Sequence, residues 1–241
     1  MVKIPAFPGF PSEAIQFLHG LRRNNRREWF QAHKPMYDQH VKAPMSELVS
    51  AVNRELVRWA PDYVADPQKA IYRIYRDTRF SSNKTPYKDH IAAIFPRRGL
   101  EKHAGAGFYF SISDKEVEVA GGVYMPGPEQ LFAIRTHLAE HHAQFRRITS
   151  DASLRRLMGD LKGNQLSRAP KGFLPDHPAA DLVRYKQWLY YVPLEPNIAT
   201  TSRLLSEIVR RLRVLLPFVE FLNSPLLAHR GRRKVVRDLF A

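Results

Sequence analysis

The sequence predicts an α+β fold: an antiparallel sheet of about four to five strands packed against several helices, with a helical N-terminal region and a long C-terminal helix. Three observations predict it. Apolar residues recur at helical spacing between Ser12 and Trp59, aromatic and β-branched runs of strand length crowd the stretch from Ala70 to Met125, and helical spacing returns after Gly127 and again from Ile198.

The elements follow in chain order. Ser12 reads as an N-cap, with Ala14, Phe17, Leu18 and Leu21 on one stripe and Asn24-Asn25 as the stop. A shorter helix over Arg27 to His33 is anchored by Trp29 and Phe30. From Tyr37, the residues Val41, Met45, Leu48, Val49, Val52 and Leu56 give the strongest helical period in the chain, with Pro44 marking a kink or a fresh start and Trp59-Ala60-Pro61 a stop. Strands are expected at Ile71 to Tyr75, His90 to Phe95, Gly107 to Ser113, Glu116 to Tyr124 and Gln187 to Val192. Asp114-Lys115 suits a tight hairpin, and Ile91 to Phe95, apolar on both faces, is expected at the centre of the sheet. Gly121-Gly122 suggests a bulge or a close backbone approach. Gly127-Pro128 opens a helix with Leu131, Ile134 and Leu138 on one face, and another is expected over Ser153 to Leu161. Ser167 to Pro178 is a structured loop, and Ile198 to Leu227 a basic amphipathic helix interrupted at Pro217.

At 241 residues, 44% apolar and 25% charged, the chain is long enough to bury a core and too apolar for wholesale disorder. It is read as one domain over 1–228 with a basic, flexible tail at 229–241. The absence of cysteine excludes disulfides, thiolate metal sites and cysteine nucleophiles. Neither a signal peptide nor an apolar run of the roughly 18 residues that suggests a membrane span is found, so a cytoplasmic location is expected. The net charge of +15 is concentrated in 22–34, 70–90 and 229–241, a field that attracts nucleic acid, anionic lipid or phosphorylated metabolites.

Chemistry is densest between Arg73 and Lys88, where three arginines, two lysines, one aspartate and two tyrosines fall within sixteen residues. If the segment is extended, Arg73, Tyr75, Asp77 and Arg79 project to one side, and Asp77 can brace Arg79 or Arg73 for an external anion. Arg73, Arg76, Arg79, Lys84, Tyr87 and Lys88, with Lys171 from the later loop, are the candidate ligand-binding residues. Ser81, Ser82, Asn83 and Thr85 add polar donors. The bland alternative is a strand-to-loop junction locked by Arg-Asp pairing, with Phe80 and Tyr87 as core anchors. Asp77 and His177 are the candidate proton carriers, His177 sharing the Pro170 to Pro178 loop with Lys171 and Asp176.

These residues resemble a widespread bacterial family with fungal relatives, described as conserved hypothetical proteins or a domain of unknown function. Its signature is Arg, two residues, Arg-Asp, one residue, Arg-Phe, three residues, Lys, two residues, Tyr, matched here at Arg73, Arg76, Asp77, Arg79, Phe80, Lys84 and Tyr87. The Asn24-Asn25 to Trp29-Phe30 stretch, Gly121-Gly122 and Pro170-Lys171-Gly172 are also similar to that family, from about Phe10 to about Leu222. The resemblance implies no activity.

Other patterns carry less. His137, Glu140 and His141 share a helix face, but the glutamate does not follow the first histidine as in a metalloprotease, and the trio reads as a solvated face, so no metal is expected. No P-loop, Gly-x-Gly-x-x-Gly or Gly-x-Ser-x-Gly occurs, and no cofactor is expected. The leading expectation is a protein that binds a phosphate-bearing anionic ligand, with nucleic acid the first candidate partner. The alternatives are an enzyme for a small anionic substrate and a structural or interaction protein without a ligand.

Overall fold

In the computed structural model, residues 7–239 are described, with side chains described to residue 228. The basic tail at 229–241, expected to be flexible, lies outside the residues whose side chains are described.

Helix α1 (Ser12–Arg23) begins at its expected cap, Ser12, so that Pro11 takes the N-cap position, and buries Ala14, Phe17, Leu18 and Leu21 as the spacing requires. Helix α2 (Arg27–Met36) buries Phe30 and leads through a π-helical turn, Tyr37–Lys42, into α3 (Ala43–Trp59). Pro44 stands in the first turn of α3, directly after the π-helical turn, and the backbone at Met36, Lys42 and Ala43 stays helical, so it marks a local change of helical hydrogen bonding and not a fresh start. A short helix, α4 (Pro67–Ala70), is capped by the Asp66 carboxylate, which accepts a bond from the Gln68 N–H.

The sheet is antiparallel, of order β1 (His90–Pro96), β2 (Gly107–Ser113), β3 (Val117–Val123) and then a C-terminal strand described below. The β2–β3 hairpin turns at Asp114-Lys115 as the sequence suggests. The Ser113 hydroxyl accepts bonds from the Lys115 and Glu116 N–H groups and donates to the Glu116 carbonyl. Two expectations fail here. Ile71 to Tyr75 is no strand of the sheet, for it makes only isolated bridges, Ile71 to Ala93 and Tyr75 to Tyr87. Strand β1, expected at the centre, is an edge strand, and its outer edge carries the bridge from Ile71 to Ala93.

Beyond the sheet, α5 (Pro128–Glu140) starts with Gly127 as N-cap and Pro128 in its first turn. Helix α6 (His142–Thr149) was not expected, and α7 (Ala152–Met158) is shorter than expected because Gly159 at φ 73° ends it. Helix α8 (Ala180–Val183) leads to β4 (Trp188–Leu194), whose far edge carries a bridge from Lys162 to Leu189. A 3₁₀ turn, Pro196–Thr200, replaces the first turn of the expected C-terminal helix, which is α9 (Arg203–Leu239). Pro217 does not interrupt α9. An interior proline, which loses a hydrogen bond and crowds the preceding turn, costs about 3 kcal/mol in an isolated helix, but here Leu215, Phe218, Val219, Phe221 and Leu222 are all buried around it.

The contacts divide the chain into two compact units. The first comprises 1–95, 109–119 and 193–210, with a core of α1, α2 and α3 side chains and an aromatic group of Phe17, Phe30 and Tyr37 at ring separations of 5.5–6.2 Å. The second comprises 96–108, 120–192 and 211–241, with Tyr190, Phe218, Phe145 and Phe221 in ring contact one after the next. The double glycine is explained within the second unit. A Cβ on Gly122, at φ 130°, would lie 2.1 Å from the Trp188 carbonyl oxygen, so this is the close backbone approach that the sequence suggested.

Helix-borne asparagines tie loops down in both units. In the first, Asn53 of α3 donates to the Ala65 carbonyl and accepts from the Ala65 N–H. In the second, Asn223 of α9 does the same to Ala106, at 2.9 and 2.8 Å. Each amide therefore acts as a one-residue strand, satisfying a peptide unit that no sheet neighbour reaches. Gly105 is small for this reason, since its Cβ would fall 2.6 Å from the Asn223 side-chain oxygen.

Candidate functional site

The arginine segment belongs to the first unit and is held there by a hinge of backbone and aromatic contacts. The Arg76 N–H bonds the Pro86 carbonyl and the Lys88 N–H the Ile74 carbonyl, which pairs the two ends of the segment around the Thr78 to Thr85 loop. Asn25 then clamps Tyr87: its amide donates to the Tyr87 carbonyl and accepts from the Tyr87 N–H, each at 3.0 Å. The Tyr87 ring, buried, stacks on Phe30 at 4.2 Å, with Tyr75 beside both. Tyr87 is thus an anchor under the site and not a residue on its surface. Asn25, read from the sequence only as a helix stop, is the part of the site that sequence reasoning missed. Its sole signal was its place in the resemblance.

On that base the cations spread outward. Asp77 grips Arg79 in a two-pronged pair, Nε to Oδ1 at 3.1 Å and a terminal nitrogen to Oδ2 at 2.8 Å, and also accepts the Arg79 backbone N–H. The Arg79 side chain and its backbone N–H hold the Asp77 carboxyl down to about 2, and Asp77 in turn raises the Arg79 guanidinium above its ordinary value. Of the five N–H groups of a guanidinium, Asp77 engages two on Arg79; the side chain is 77% exposed. Phe80 follows, 96% exposed, with the Arg79 guanidinium 5.8 Å from its ring centre. It is not the core anchor of the bland alternative.

Arg76 donates to the Thr85 hydroxyl, which donates to the Asn83 carbonyl oxygen. Lys84 bonds the Thr78 carbonyl at 2.9 Å and Lys88 the Arg73 carbonyl at 3.0 Å, so both lysines serve the loop's own backbone. Arg73 is exposed, and among the described residues no hydrogen bond of its guanidinium is found.

The expected one-sided projection of Arg73, Tyr75, Asp77 and Arg79 is not observed. Arg73 and Tyr75 line one cleft of about 630 Å³ with Phe30, Lys34 and Tyr37. Arg76, Asp77 and Lys88 line another of about 630 Å³ with Arg22, Asn25 and Asp89. Strict alternation needs a strand, and this segment is bridged at single residues. In the second cleft Arg22 is neutralised. It pairs with Asp114, whose side chain is 5% exposed and also bonds His19. Burial pushes the Asp114 carboxyl up, but Arg22 and His19 together bring it below its ordinary value. With Asp77 and Asp89 on its walls, that cleft is of mixed charge.

Lys171 and His177 belong to the second unit. Lys171 is exposed on a turn closed by the Phe173 N–H and the Pro170 carbonyl. His177 Nδ1 accepts the Ala179 N–H at 3.1 Å, so the ring closes the turn that leads into α8. Among the described residues no helix is long and apolar enough to cross a membrane.

Fold and site together define an α+β protein with a braced, outward-facing arginine ledge. The chain belongs to the family described as Conserved hypothetical protein (DUF2461), which matches residues 13–221. No curated protein and no solved structure matches it.

Proposed function

We propose that this protein binds a phosphate-bearing anionic ligand through the Arg73 to Lys88 segment, and that the ligand is single-stranded nucleic acid. One observation carries the reading: Arg79, oriented by Asp77 and with donors to spare, stands beside a bare phenylalanine, Phe80. A soluble surface gains nothing from an aromatic ring in water beside a rigid guanidinium. A nucleotide uses both, the phosphate on the fork and the base on the ring. Tyr75, 46% exposed, offers a second ring on the Arg73 side. The net charge of +15 supplies the long-range attraction. A cytoplasmic location belongs to the same proposal.

The enzyme reading is the weaker one. A carboxyl held near 2 by a bidentate arginine is a poor proton carrier at neutral pH, which weighs against Asp77 as a base. His177 has one ring nitrogen committed to a backbone N–H.

Fluorescence polarisation with labelled oligonucleotides tests the proposal. Wild type should bind single strands with affinity falling linearly in log salt. Arg79→Ala should flatten that slope by about 0.7 for the one phosphate contact removed. Phe80→Ala should weaken binding by about 1–3 kcal/mol with the slope unchanged, because stacking is not a counterion effect. Absence of binding at low ionic strength would sink the reading.

A further inference from the structure

The strongest unassigned chemistry lies in the second unit, at the end of α5. His137 and Glu140 stand at i and i+3 on α5, and His141, the residue that caps the helix, follows at i+4 with its N–H on the His137 carbonyl. Their ligand atoms, two imidazole nitrogens and a carboxylate oxygen, all lie within 4.8 Å of one another. The two imidazoles are close, with ring centres 4.5 Å apart.

We propose that His137, Glu140 and His141 form a three-donor site for a borderline divalent transition ion such as Zn2+, with an open fourth position. The donor chemistry selects the ion. Two nitrogens and one oxygen suit Zn2+ and its neighbours, whereas Mg2+ and Ca2+ take oxygen ligands almost exclusively. The distances are also near those needed. Zinc bonds of about 2.0–2.1 Å in tetrahedral geometry put neighbouring donors about 3.3 Å apart. Closing the remaining gap takes side-chain rotation alone, because Glu140 and His141 are exposed and free to turn.

His137 supplies the fixed point. Its ring packs on Phe221 of α9, centres 4.6 Å apart, so one ligand is oriented before the ion arrives. The helix end contributes further. Glu140 is the last residue of α5, where the backbone carbonyls present the negative end of the helix dipole and favour a cation. The long-range repulsion from a chain of charge +15 is screened within about 10 Å at ordinary salt, so it does not decide a contact site.

The test is a competition titration of the full chain with ZnCl2 against a chromophoric chelator, paired with thermal melting. Wild type should take up Zn2+ at one strong site and melt at a higher temperature with it, an increase that chelation reverses. His141→Ala and Glu140→Gln alter exposed side chains and should fold as wild type. Each should lower the affinity by at least about tenfold, since loss even of an outer-shell partner costs that much. His142→Ala, one residue outside the trio, should leave it unchanged. The proposal is overturned if wild type fails to compete for Zn2+, or if His141→Ala binds as tightly as wild type, since the ion would then be held by others of the ten histidines. Equal loss in His142→Ala would overturn it too, by moving the site off this helix face.

Discussion

Substituting Asn25 by alanine should cost more stability than any single change on the arginine ledge, although Asn25 carries no charge. Its amide makes two hydrogen bonds to the Tyr87 peptide, each 3.0 Å and partly buried. Each such bond is worth about 0.5–1.5 kcal/mol net, and a buried peptide group left without a partner adds about 1–3 kcal/mol. Tyr87 is 3% exposed, so water reaches its N–H and carbonyl poorly. A loss of about 2–6 kcal/mol follows, and for a chain of this size each kcal/mol lowers Tm by about 2–4 °C. Denaturant melts of wild type and Asn25→Ala give the energy, with m unchanged. Hydrogen exchange locates it: the Tyr87 amide should lose protection first, then those of Arg76 and Lys88, whose backbone bonds close the segment. Asn25→Asp should fall between, because it keeps the acceptor for the Tyr87 N–H and loses the donor to the carbonyl. If Asn25→Ala is within about 0.5 kcal/mol of wild type, the span of an ordinary surface change, the clamp is not what positions the ledge.

Two further outcomes test the frame around the site. Gly122→Ala places a methyl group 2.1 Å from the Trp188 carbonyl oxygen at a φ of 130°, and should lose about 3 kcal/mol or more in urea melts through strain and clash together. A near-neutral result would refute the close approach of β3 and β4. Asp114→Asn should destabilise by about 1–2 kcal/mol at pH 7, a figure reduced for the exposure of Arg22, 34%. The folded-state value of Asp114 lies below its ordinary 3.8, so its contribution is complete above that pH and is lost as pH falls through the folded value. The gap between wild type and Asp114→Asn should accordingly close below about pH 4 in melts taken across pH; a gap that persists there would show that charge is not the cause.

Much of this architecture could be read from the residues alone, for a physical reason that differs by element. Periodicity is local, so the stripes of Phe17, Leu18 and Leu21 and of Met45, Leu48, Val49 and Val52 announced helices that bury those side chains. Turn chemistry is local as well, and the Asp114-Lys115 hairpin and the Gly127-Pro128 helix start followed from it. The bidentate Asp77–Arg79 pair was legible because its partners are two residues apart.

What the residues could not reveal depends on neighbours distant in sequence. A run such as Ile91 to Phe95 looks central because both faces are apolar, yet it lies at the sheet edge, with a bridged segment, itself mistaken for a strand, where a further strand would pair. Pro217 looks like a helix stop, yet burial of the side chains around it carries α9 through. Asn25 looks like a helix terminator, and its second role exists only because Tyr87, 62 residues away, arrives beside it. The exposure of Phe80 was undetermined for the same reason: an aromatic residue goes inside only if some other part of the chain supplies a surface to receive it, and the fold supplies none. Near-neighbour patterns thus determined the long helices α1, α3 and α5, the hairpin turn and where positive charge collects, whereas the short helices α4, α6 and α8 went unread. Which strand forms an edge, which asparagines act as clamps and which arginine faces outward with donors unused were decided by tertiary packing alone, because each depends on contacts between residues far apart in the chain.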